Sequence, residues 1–458
     1  MPILLDDLDR RIVRLAIPAL GTLAVEPLYV LVDTAIVGRI GTDALAGLAI
    51  AATVLLTLVS LATFLEYGVT PDVAFAHGVG EAETARRAAT DALTLAVFLG
   101  TLGGIAVALA AHPLCWLLGG RGAVLDNAVL YLRISATGLP FVLIALVGHG
   151  VMRGLNDLRK PLIVVVVANV ANLVLELVAV YGLRLGIAGS AWSTVIVQAA
   201  AAAWFVKILW PHTARARPAW SRYRPMLVTG SHLAVRSLAM YAVWNTSTFV
   251  AAHIDTPTLA ANQVLVQLFN ALALALDALA IPAQSLVAGA LGAGDVEQAV
   301  RVGDTSTRLS LWCGGGLAVV LAATSPLIPH LFTGDPAVRS RLTAGLVILA
   351  VMQLPGAVAF ALDGALIGAH DERFLGRVAV LNLVGYLPIA ALTLVLPVLG
   401  IVGLWTAQLT WMTMRAAVNG LRWRSRRWTT HLLGRRTERF DARSSRSSFE
   451  ERPTAPPS

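Results

Sequence analysis

Apolar residues run through this chain in long blocks, separated by short polar breaks. Twelve blocks can be traced: 12–38, 44–70, 86–112, 123–150, 160–182 and 187–209, then 228–252, 257–288, 303–327, 338–365, 375–397 and 401–421. Each is close to or above the ~20 residues an α-helix needs to cross a bilayer. The pattern predicts an all-α polytopic membrane protein with twelve transmembrane helices. Six helices fall in a first lobe, residues 1–209, and six in a second, 226–423. A basic, proline-bearing stretch at 210–225 reads as the linker between them. The Arg- and Ser-rich tail, 424–458, is expected to be disordered beyond about Arg435.

The polar breaks repeat. Ile40–Ala46 returns at Ile254–Ala260, Gly78–Glu81 at Gly292–Asp295, Gly154–Arg159 at Gly368–Arg373, and Gly186–Gly189 at Gly400–Gly403, always 214 residues later. One ungapped offset across four islands predicts two homologous halves. Six spans per half make both halves start on the same side. The repeats are therefore parallel, related by an axis along the membrane normal, a plan found in secondary transporters with their site between the repeats.

Composition agrees with a lipid solvent: 57% of residues are hydrophobic and 14% charged, against about 25% charged in a soluble domain. The net charge of +8 would suggest nucleic acid in a soluble protein. Here no basic patch is interleaved with aromatics, so no nucleic-acid partner is expected. With the N-terminus in the cytoplasm, only Arg39, Arg121, Arg133, Arg184, Arg339 and Arg341 of the 35 basic residues sit outside, and Arg236 falls within a span. That bias orients the chain with both termini cytoplasmic in the plasma membrane. Two cysteines imply no disulfide framework, and no metal or cofactor motif is present.

An acid near the middle of a span costs about 2.5–3.5 kcal/mol on insertion scales, so each one needs a reason. Span 1 carries Glu26, Tyr29 and Asp33 at i, i+3, i+7, one helix face, with Pro27 in the same turn. Asp33 either caps the helix near Gly38 or faces the interior. Span 5 carries Asn169, Asn172 and Glu176 at the same spacing. The carboxamides either join helices or line a site, and the carboxylate points to function. Glu66 in span 2 has Tyr67 or Arg236 as its expected partner. Along span 8, Gln263, Gln267, Asn270, Asp277 and Gln284 share a face that is expected to line a water-filled cleft. Asp363 in span 10 and Arg236 in span 7, the only arginine placed in a span, complete the set.

Leu31–Gly41, Arg153–Asp157, Leu259–Val264, Ala275–Ala280 and Asp363–Gly368 together resemble the multidrug and toxic-compound extrusion (MATE) family, in its DinF-like branch, over roughly residues 10–420. The resemblance implies two six-helix lobes forming a V, and cation-coupled export of amphipathic, often cationic, compounds by a monomer in the bilayer. It makes Asp33 the proton-coupling group, with Tyr29 beside it. Asn172 and Glu176 match the family's span-5 Asn and Asp, here with Glu in place of Asp, and Thr194 matches a span-6 hydroxyl. The NorM-like branch has a second-lobe cation site with a span-7 acid. Arg236 stands in span 7 here, although Asp363 matches the span-10 acid. Protons are thus the expected coupling ion, with sodium the alternative. Asp33, Glu176 and Asp277 against a single arginine predict a cleft for amphipathic cations. The alternative, a flippase or exporter of a lipid-linked or amphipathic metabolite, would need more cations in the cleft. An intramembrane transferase would need a partner for Asp6-Asp7-Leu8-Asp9.

Overall fold

The computed structural model describes residues 6–214 and 220–429, without the side chains of Glu26, Tyr29, Leu31, Trp220 and Ser221. The tail beyond Arg435 and the middle of the 210–225 linker lie outside the described residues. The first lobe holds α1 (Asp7–Gly38), α2 (Thr42–Ala62) continued by α3 (Phe64–Val79), and α4 (Ala82–Leu117). It goes on with α5 (Gly122–Ala136) and α6 (Leu139–Gly154), then α7 (Arg159–Leu177) with a π-helical turn at Val178–Gly182, and α8 (Gly186–Leu209). The second lobe holds α9 (Trp220–Ile254), α10 (Thr256–Gly292), α11 (Val296–Thr324), the short α12 (Ile328–Phe332), α13 (Pro336–Gly368), α14 (Glu372–Val395) and α15 (Gly400–Arg424).

These helices make twelve crossings. Among the described residues eight are apolar enough by themselves to span a membrane, and the pair α5–α6, bent by 52°, makes a ninth. α9 and α15 are less apolar and carry Arg236 and Arg415, which pair with Asp363 on a neighbouring helix.

The repeat is physical. Gly80 and Gly294 both turn with φ 81°, and Asn156 and His370 occupy the same left-handed region at 58° and 57°. In the first lobe α6 crosses α3 so closely that a Cβ on Gly150 would run into the Glu66 backbone. In the second, α13 crosses α10 so that a Cβ on Gly364 would meet the Ala280 carbonyl. Both contacts are 214 residues apart, and both use the small residues that let membrane helices approach.

The cores reveal how the lobes meet. Near the face opposite the N-terminus each lobe has its own, one around Leu48, Ala111 and Leu132, the other around Leu265, Leu346 and Trp405. Near the N-terminal face the lobes share one, in which Ile12 and Ala16 of α1 pack with Leu286, Val287 and Leu291 of α10. Polar contacts add to this seam: Arg308 Nη2 donates to Asp9 Oδ1 at 2.6 Å, Gln284 Nε2 to the Tyr67 carbonyl at 2.9 Å, and Ser285 Oγ to Asn156 Oδ1 at 3.0 Å. The gap between the lobes therefore opens away from the N-terminal face. Asp6 and Asp9 form a reciprocal cap on α1, which gives the Asp-rich start a structural role.

Candidate functional site

The first lobe buries a polar cluster where α1, α7 and α8 meet. Asp33 is buried, and Ser190 Oγ donates to its Oδ1 at 2.9 Å. Glu176 is fully buried beside Asp33 and Ser190. Asn172 Nδ2 donates to Thr194 Oγ1 at 3.3 Å, and Thr194 returns a bond to the Ser190 carbonyl at 3.1 Å. Asp33, Asn172, Glu176 and Thr194 thus lie together in one cluster. Asn169 bonds the Val165 carbonyl of its own helix at 2.8 Å instead. The side chains of Glu26 and Tyr29 lie outside the described residues. Ser190, the hub of the cluster, escaped sequence analysis; its signal was its place one turn before Thr194. The π-helical turn follows Glu176 directly, and Tyr181 within it donates to the Ile36 carbonyl at 3.1 Å, tying α7 to α1. Such turns recur at functional sites.

The second lobe holds a different arrangement. Asp363 Oδ2 receives Arg236 Nη2 at 2.5 Å and Arg415 Nη2, while Oδ1 receives Asn419 Nδ2 at 2.7 Å. Arg236 is therefore not the only arginine within a span. Arg415 and Asn419, four residues apart on α15, share a face turned to Asp363. A basic residue near the end of a hydrophobic block resembles an orientation signal, and only packing reveals that it points inward. Glu66 has an arginine other than Arg236 as its ion-pair partner. Arg153 reaches it at 2.9 Å, with His149 at 3.7 Å, because the close crossing of α6 on α3 brings Arg153 there.

A cavity of about 240 Å³ lies between the lobes, lined by Ser60, Thr63 and Tyr67 of the first and by Arg236, Asp277, Phe360, Arg415 and the aromatic wall Trp244, Phe269, Trp411 of the second. Asp277 alone of the α10 stripe borders it. Gln284 is buried against Tyr67, where it joins the lobes and lines a smaller void of about 40 Å³ between them. Gln263, Gln267 and Asn270 are exposed on the same face of α10, toward the open side. Among the described residues no group of three or more His, Cys, Asp or Glu could hold a metal.

The MatE family profile matches the chain twice, over residues 18–178 and 233–392, one match per lobe. Protein DETOXIFICATION 44, chloroplastic, of Arabidopsis thaliana is 30% identical over 90% of this chain and 81% of its own. DNA damage-inducible protein F of Escherichia coli is 29% identical over 92% and 94%. A solved MATE structure in the bent conformation superposes with a TM-score of 0.86 at 21% identity, covering 92% of this chain and 96% of that one. A helical membrane protein with two matching lobes and a cavity between them is what this family builds, and the chain belongs to the MATE family, in its DinF-like branch, as a transporter and not an enzyme.

Proposed function

We propose that the chain exports amphipathic small molecules in exchange for protons by alternating access, from a cell membrane in which its N-terminal face is cytoplasmic. The observation that carries this reading is the Asp33–Glu176 pair, sealed in the first lobe away from the cavity. Two carboxylates side by side out of water repel, so the pair holds an exchangeable proton in place of two full charges. Asp33 sits on α1, whose first half packs on α10 and α11 of the second lobe and whose second half packs on α7 and α8. Pro27 lies between the halves. Protonation of the pair would thus act on a helix that packs against both lobes. The arginine bias supports the orientation. One chain supplies both lobes, so a monomer suffices. Exchange of one proton for one monovalent cation moves no net charge. A second proton on the pair would add the voltage, about 2.3 kcal/mol per 100 mV or roughly fifty-fold in gradient.

Reconstituted protein is expected to drive substrate movement under an imposed pH gradient and not under a sodium gradient alone. Transport driven by sodium without a pH difference would overturn the proton assignment.

A further inference from the structure

We infer that the central cavity accepts the anionic end of an amphipathic ligand, a carboxylate, sulfonate or phosphate, between Arg236 and Arg415. The inference rests on this cavity being the substrate site, as proposed above, and it concerns the polarity of that site. Of the acids that would favour a cation, Asp33 and Glu176 are sealed in the first lobe and do not border the cavity. Two guanidiniums border it instead, against the single carboxylate of Asp277. Asp363, which neutralises part of that charge, does not line the cavity itself and borders two smaller adjoining voids.

Hydrogen bonding points the same way. A guanidinium carries five N–H donors and no acceptor. Arg236 spends one nitrogen on Asp363, and its other donors find no partner among the described residues. Arg415 uses Nη2 on the same oxygen, and its Nη1 meets only the Met412 sulfur, at 3.9 Å. Two nearly buried cations with donors to spare, one of them over the Trp411 ring at 5.7 Å, form a fork for a planar or tetrahedral anion. The aromatic wall would receive the apolar body of the same ligand.

The test uses the full chain in phosphatidylcholine nanodiscs and three probes with one aromatic body: 2-naphthalenesulfonate, 2-naphthol and (2-naphthylmethyl)trimethylammonium. Calorimetric titration is expected to give the sulfonate at least tenfold the affinity of the other two. Asp277→Asn leaves the Asp363 cluster intact and is expected to tighten sulfonate binding severalfold. The charge-balanced pair Asp363→Asn with Arg415→Gln is expected to erase the preference. Tighter binding of the ammonium probe, lost in Asp277→Asn, would overturn the polarity while leaving the cavity as the substrate site. No binding of any probe by a protein that still transports would overturn both. Nanodiscs of phosphatidylglycerol separate two sources of the anion: lost sulfonate binding there identifies a lipid headgroup on the same arginines, and unchanged binding identifies a soluble anion.

Discussion

Asp33 and Asp363 are the same residue type in opposite circumstances. Asp363 is held by three donors from α9 and α15, and its charge is balanced by guanidiniums. Removing one partner of a buried ion pair costs about 3–5 kcal/mol because the other charge is left uncompensated. Asp363→Ala is therefore expected to lower the melting temperature of the purified protein clearly, whatever it does to transport. Glu176 is the reverse case, a fully buried carboxyl whose neighbour is a second acid, Asp33. Glu176→Gln and Asp33→Asn are expected to leave thermal stability and membrane insertion nearly unchanged while abolishing transport driven by a pH gradient. Normal resistance in cells expressing Asp33→Asn at wild-type level would remove Asp33 from the coupling role. Residue spacing alone found Asp33, Asn172 and Glu176, because i, i+3, i+7 places side chains on one face whatever surrounds the helix. Spacing within one helix is silent about which helix that face meets, and so Ser190 and Arg415 were found only in the packed structure.

At the scale of helices, the sharpest constraint is the pair of crossings α6 on α3 and α13 on α10. Gly364→Ala pushes a methyl group against a backbone carbonyl that has no room to move, whereas a Cβ on Gly315 of α11 meets nothing within 4 Å. Gly364→Ala is expected to lose most of the folded yield, and Gly315→Ala to be tolerated or slightly stabilised by its better helix propensity. Equal thermal stability of the two variants would mean that the crossing is looser than the geometry implies. The helices and their turns were legible in advance, since hydrophobic blocks of bilayer length and left-handed turn residues are local signals. The π-helical turn after Glu176 was not, because Gly182 can weaken a helix there but does not specify a π turn. The pull of Tyr181 on the Ile36 carbonyl belongs to tertiary contact.

For the whole molecule, the shared core and the polar seam keep the lobes together at the N-terminal face. Alternating access requires that seam to open. Cysteines replacing Asn156 and Ser285, whose side chains meet at 3.0 Å across the lobes, are expected to form a disulfide under oxidation and to stop transport. A reducing agent is expected to restore it, and each single-cysteine variant to stay active. Full activity of the oxidised double variant, with the crosslink confirmed by mass spectrometry, would mean that the lobes need not part there.

Hydrophobic block length, the 214-residue repeat and the arginine bias lie in the chain itself. From them alone followed the helix count and the two-lobe plan, and the expected orientation. These properties depend on transfer from water to lipid and on local turn geometry, which each segment carries with it. Tertiary structure alone decided which buried charges pair. Arg153 took Glu66, and Arg236 with Arg415 took Asp363. That choice set the sign of charge facing the cavity, because in a low dielectric a charge acts through whichever partner packing brings within a few ångströms.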